Sequence, residues 1–153
     1  SITTYTVRQK TMNDKKHLIF IDSDAFVALS KENDSNHARA VILLNQLLKN
    51  EVQFITSNYV FSETLTVISL RIGHKQAISF AEKLKAPDNG FEIKWVDAAI
   101  EEAAIAVFKK QTSKNTNFVD CTNMVFLKQL PIYAIFSFDE IYKKNGFQML
   151  EGA

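Results

Sequence analysis

A chain of 153 residues, 46% hydrophobic and 23% charged, has the size and composition of one globular domain. A chain of that length buries roughly 68–70% of its unfolded surface, and four Gly and two Pro exclude a loop-dominated scaffold, a collagen-like chain or a disordered tail. A formal net charge of +1 gives no broad basic surface for duplex DNA, while leaving room for a local basic rim.

Residues 1–16 carry Arg8, Lys10, Lys15 and Lys16 against Asp14, lack the apolar middle of a signal peptide, and read as an N-terminal extension. Residues 17–21 (HLIFI) form a continuous apolar run that predicts a buried parallel strand, leading through Asp22-Ser23-Asp24 into a helix at 25–29. After a polar turn at 33–36, a helix is expected over 38–49. It has two overlapping apolar rows, Val41/Leu44/Leu48 and Ala40/Leu43/Leu47. A second strand follows at 53–56. Ser57 or Asn58 then caps a helix with a core row of Phe61, Leu65, Ile68 and Ile72, stopped by Gly73. Residues 74–84 read as a helix ended by the turn at 86–90, and 91–96 as a third strand. Asp97 caps a helix running to about Lys110, and Asn117 caps another over 118–129. The fourth strand is placed at 133–138, followed by a short helical turn at 141–145 closed by Gly146 and an edge strand at 147–150. Strands alternating with helices predict an α/β domain over 17–150 with a mostly parallel sheet, followed by a short tail at 151–153.

In such sheets, chemistry sits beyond the carboxyl ends of the strands. Asp22 lies just past the first strand and Asp139 just past the fourth. Asp120 and Glu63 lie near helix starts that face the same rim, so four carboxylates are expected to converge. Such a cluster requires protonation or cations to offset its repulsion. Oxygen-only donors favour Mg2+ or Mn2+, ions suited to phosphodiester hydrolysis by an activated water. Each acid also has a plain structural alternative: a cap for Asp22 and Asp139, helix-terminus electrostatics for Asp120, an exposed helix position for Glu63. Asn123 is three residues after Asp120, on the same helix face, where it can orient a ligand.

Residues 19–29 (IFIDSDAFVAL) resemble the opening motif of PIN domains. Ser62-Glu63-Thr64 is similar to that family's helix glutamate segment, residues 117–123 (NFVDCTN) to its third motif, and 136–140 (FSFDE) with Gly146-Phe147 to its fourth. The resemblance spans about 17–150. It implies a three-layer α/β/α fold and a Mg2+/Mn2+-dependent ribonuclease akin to VapC-like toxins of toxin–antitoxin pairs. Such proteins act on RNA such as tRNA, commonly form homodimers and are inhibited by an antitoxin. It implies Asp22, Glu63, Asp120 and Asp139 as metal-binding and catalytic carboxylates, with Ser137 supporting the site. Asp24 stands where Ser, Thr or Asn is more usual in the family, adding a negative charge.

Two other functions compete. Asp22-Ser23-Asp24 mimics the DxD opening of haloacid-dehalogenase-type phosphatases, with Asp22 as nucleophile and Asp24 as acid/base, but no later acidic pair completes that site. A non-catalytic PIN-like binding module is the other. The apolar stretches at 41–48 and 60–72 suggest a homodimer. Cys121 reads as a small buried hydrophobe, and as the lone cysteine it fits a reducing, cytoplasmic compartment. His17, His37 and His74 are too scattered for a zinc site. No apolar run reaches the roughly 20 residues of a membrane helix.

Overall fold

The computed structural model describes residues 17–151; the expected extension at 1–16 and residues 152–153 of the tail lie outside it. Four strands, β1 (His17–Ile21), β2 (Val52–Ser57), β3 (Phe91–Lys94) and β4 (Ile132–Phe136), form a parallel sheet in the order β3-β2-β1-β4. Between β1 and β2 run α1 (Ser23–Ser30) and α2 (His37–Leu48), and between β2 and β3 run α3 (Asn58–Arg71) and α4 (His74–Lys85). The return to β4 passes through α5 (Ala98–Lys110) and α6 (Phe118–Gln129), and α7 (Ile141–Lys144) follows β4.

Both sheet faces are covered, which is why β1 and β4 read as nearly continuous apolar runs, whereas β3 alternates Phe91-Glu92-Ile93-Lys94. On one face Ile19, Phe54 and Phe91 lie in register, and Phe91 and Phe80 pack against Phe26 of α1 at 6.1 and 5.1 Å between ring centroids. On the other face Phe20, flanked by Ile55 and Ile135, stacks on Phe126 of α6 at 6.0 Å. Helices α1, α3 and α4 share the buried cluster of Val27, Ile68 and Ala77; α5 and α6 share Ala104, Cys121 and Val125. The layers are therefore α/β/α. Among the described residues no helix is long and apolar enough to cross a membrane.

The local signals for caps act as expected. Ser57 accepts from Val60 N–H, Asp97 from Ile100 N–H, and Asn117 forms a reciprocal capping box with Asp120. Gly73, at φ +152°, ends α3 with its N–H on the Ile68 carbonyl. Five expectations need correction. Helix α1 begins at Ser23 rather than 25, because Asp22 caps it by accepting from Ser23 N–H. In α3 the fully buried row is Val60, Thr64 and Ile68; Phe61, Leu65 and Ile72 lie half-buried to one side, because the helix packs on α1 and α4 as well as on the sheet. Strand β4 stops at Phe136, and the edge strand expected at 147–150 is a single bridge, Ile135 to Met149. Gly146, at φ +84°, turns the chain back so that only Gln148 and Leu150 reach the β4 backbone, at Ile135. In α2 it is Ala40 and Leu43 that are buried, while Leu48 is 62% exposed.

Phe20→Ala is expected to lower unfolding free energy by about 3–5 kcal/mol, and Leu48→Ser to change it by less than about 0.5 kcal/mol. Urea-unfolding midpoints of the two variants check this.

Candidate active site

The sheet order reverses between β1 and β4, so their carboxyl ends diverge and leave a crevice. The Asp22 N–H still bonds the Phe136 carbonyl at 3.1 Å, which fixes where the crevice begins. Asp22 follows β1 there and is 4% exposed; Ser137 follows β4 and is 3% exposed. The first turn of α6 brings in Asp120, and the second turn of α3 brings in Glu63.

At the centre is a side chain that sequence reasoning did not single out. Tyr142, on α7, is fully buried. Its hydroxyl donates to Asp22 Oδ2 at 2.6 Å, accepts from Asn123 Nδ2 at 2.9 Å and lies 3.2 Å from Asp120 Oδ1. A phenol has one proton and two acceptor positions. With the proton on Asp22 and one acceptor position taken by Asn123, the contact to Asp120 is a hydrogen bond when the Asp120 carboxyl carries its own proton. Spacing does not mark it: an aromatic residue on a four-residue helix reads as core.

The remaining bonds tie the cluster together. Asn123 Nδ2 also donates to Asp22 Oδ1 at 3.2 Å, and Ser137 Oγ lies 3.3 Å from Asp22 Oδ2 and 3.1 Å from Asp24 Oδ2. Asp24 Oδ2 also accepts from Phe138 N–H at 2.8 Å, clamping α1 to the segment after β4. Glu63 joins from the side, its Oε2 accepting from Ser23 Oγ at 3.1 Å. Asp139 stands apart: it is exposed, and its Oδ1 accepts from Ile141 N–H at 3.0 Å, a local cap. Thus Asp22, Asp24, Asp120, Asn123 and Ser137 are brought together, Glu63 adjoins them through Ser23, and Asp139 flanks them.

Among the described residues no Lys or Arg side chain forms an ion pair with these carboxylates. The ion pairs among the described residues, Lys94–Glu92 and Lys143–Glu151, involve none of the clustered carboxylates. Burial, against its hydrogen bonds, raises the pKa of Asp22, and the charge of Asp139 adds to the rise. Burial and the charge of Asp22 push Asp24 up to about 7. Burial pushes Asp120 up to about 7 as well, with the charges of Asp22 and Asp139 adding to it. Glu63 is raised by burial and by Asp22. Burial lifts the Cys121 thiol to about 11, so it stays protonated and serves as core.

The donor chemistry fits a hard divalent cation. Asp24 Oδ1 and Asn123 Oδ1 are buried without a hydrogen-bond partner, and the acids around them are short of positive charge. Among the described residues no three His, Cys, Asp or Glu side chains are placed to hold a metal ion together. Mg2+ can be held by one or two carboxylates with its own waters completing the shell.

In EDTA the raised pKa values make stability pH-dependent. A folded carboxyl at about 7, against an ordinary 3.8, binds its proton more tightly than the unfolded chain does. The associated stability is full below 3.8 and is lost as pH rises through about 7. Thermal melts between these limits are expected to show Tm falling with rising pH, with a shallower fall in Asp120→Asn.

Comparison with known proteins gives concordant matches. Residues 19–148 match the PIN domain family. The 23S rRNA-specific endonuclease VapC20 of Mycobacterium tuberculosis, found in two strains, is 28% identical over 131 residues, covering 85% of this chain and 95% of that protein. The crystal structure of M. tuberculosis VapC20, described as a sarcin-ricin loop cleaving toxin, superposes with a TM-score of 0.77 at 26% identity, covering 86% of this chain and 98% of that one. Matched over most of its length and carrying its acidic crevice at the sheet's switch point, the chain belongs to the PIN domain family.

Proposed function

We propose that the protein is a Mg2+- or Mn2+-dependent endoribonuclease, the toxin of a toxin–antitoxin pair, acting in the cytoplasm. The observation that carries this reading is the crevice of clustered carboxylates, unpaired with any Lys or Arg among the described residues, in a chain similar to an rRNA endonuclease. Asp22, Glu63, Asp120 and Asp139 are the proposed metal-holding and catalytic residues. The bound ion supplies Lewis acidity toward the phosphodiester and lowers the pKa of water. Tyr142 and Asn123 hold Asp22 in one orientation, while Ser137 and Asp24 brace the rim. Water attacks phosphorus while its proton passes to an ionised carboxylate of the cluster; the P–O bond to the leaving sugar oxygen breaks as that oxygen takes a proton from a protonated carboxyl of the cluster or from solvent, with no covalent enzyme intermediate.

The phosphatase alternative needs Asp24 as a mobile acid/base beside a nucleophilic Asp22. Here Asp24 Oδ2 is committed to Phe138 N–H and Ser137 Oγ, and family membership favours the nuclease. A binding module without catalysis differs from the nuclease in binding no Mn2+ by calorimetry.

Purified protein with Mn2+ or Mg2+ is expected to cut RNA, with large-subunit ribosomal RNA and a tRNA pool as the first substrates, and EDTA is expected to abolish cutting. Asp22→Asn and Asp120→Asn should lower the rate by about 10²–10⁴-fold. Tyr142→Phe should lower it by about 10–100-fold through loss of carboxylate positioning. A folded, metal-loaded wild type that cuts no RNA sinks the nuclease reading.

We also propose a homodimer through α3 and α4. Between them lies a groove of about 420 Å³ lined by Leu65, Leu70, Ala77 and Ile78, and Leu70 is 82% exposed. Light scattering is expected to give a dimer for wild type and a monomer for Leu70→Glu; a monomeric wild type at micromolar concentrations refutes it.

A further inference from the structure

We propose that Arg39, seated against Phe138 beside the carboxylate crevice, is the phosphate clamp of a subsite for the RNA nucleotide next to the cleaved bond. The inference rests on the ribonuclease reading above. An acidic crevice repels a polyanion, and a net charge of +1 provides no general attraction, so the strand must be held by cations at particular places. The Arg39 Cζ lies 5.1 Å from the centroid of the Phe138 ring. Phe138 is itself tied to the site: its N–H donates to Asp24 Oδ2, and its neighbour Ser137 contacts both Asp22 and Asp24. One short chain of contacts therefore runs from the proposed metal-holding Asp22 to an arginine at the lip.

Among the described residues Arg39 has no carboxylate at ion-pair distance, and no acceptor takes any of its guanidinium donors. An aromatic seat orients a guanidinium without using its N–H fork, and the fork matches two phosphate oxygens. The space in front of it is a cavity of about 300 Å³ lined by Arg39, Ser137, Phe138, Glu140 and Lys143. That is the lower end of the size range of small-molecule sites, enough for one nucleotide unit. Lys143 is held loosely by Glu151 at 3.5 Å on the surface, and Glu140 is exposed on the same wall. Cations and carboxylates are thus balanced around the cavity, which makes it a poor trap for a free anion. A strand already anchored at the crevice is the occupant it suits.

The test uses the full chain carrying Asp22→Asn, which blocks cleavage, and a fluorescein-labelled single-stranded RNA oligonucleotide of mixed sequence read by anisotropy. Arg39→Gln is expected to weaken binding about tenfold. It should also lower the slope of log affinity against log salt by about 0.7 between about 50 and 200 mM KCl, the value for one lost phosphate contact. Arg39→Lys should keep the slope and lose part of the affinity, and Phe138→Leu should lose affinity while the slope stays near wild type. In the cleaving protein, Arg39→Gln should raise KM more than it lowers kcat. Inorganic phosphate at millimolar concentration should not compete. Unchanged affinity and salt slope in Arg39→Gln, with wild type still cutting RNA, overturn the subsite alone; that result includes the case in which Arg39 instead meets a protein partner. A wild type that neither binds nor cuts RNA overturns the nuclease reading and the subsite with it.

Discussion

Buried carboxylates repel one another, and in this protein a single phenol proton is set against that repulsion. Tyr142 reaches from α7 to the floor of the crevice and donates a hydrogen bond to Asp22 at 2.6 Å, while Asn123 donates to its oxygen from α6. The arrangement satisfies Asp22 without a lysine or arginine, which would compete with a divalent ion for the same oxygens. It also leaves Asp24 and Asp120 with raised pKa values. Neutral buried acids are tolerable in a folded protein, whereas several charged ones are not unless cations accompany them. The site is thus folded with acids whose pKa values are raised, and local stability is given up there.

The sheet order makes this possible. With β1 central and β4 added on its far side, the loops after these two strands part, and the polar ends of α1, α3 and α6 are directed to one place. The same geometry separates charge by depth. Asp22 and Asp120 are buried on the floor, while Arg39, Asp139 and Glu140 are exposed at the lip, so an approaching phosphate chain finds a cation outside the buried acids.

Much of the fold was legible because its signals are local. The apolar run at 17–21, the capping residues Ser57, Asp97 and Asn117, and the stop at Gly73 each act through the backbone within a few positions, and each does in the structure what its chemistry requires. The inward face of α3 was displaced by one residue because three neighbours, not one, compete for that helix, and periodicity alone weighs only one. The edge strand after Gly146 shrank to a bridge because few of its residues find a backbone partner. At the site, the convergence of Asp22, Asp120, Asn123 and Ser137 follows from strand ends and helix starts. Tyr142 does not, since an aromatic residue on a short terminal helix looks like core until its hydroxyl is seen among acids. Asp139 adjoins the cluster by position, yet its own loop takes one of its oxygens, a competition that spacing does not reveal.

The bonds that assemble the crevice join distant parts of the chain: Asn123 lies 101 positions from Asp22, Ser137 lies 115 and Tyr142 lies 120. Contacts of such separation form late, after long loops have closed. During synthesis the strands β1 to β3 and their helices emerge first, with the free edge of β1 waiting for β4. A nascent chain that has reached α6 but not α7 has most of its core and no phenol among its acids. Among the described elements, completion of the crevice therefore waits for α7, which follows the fourth strand.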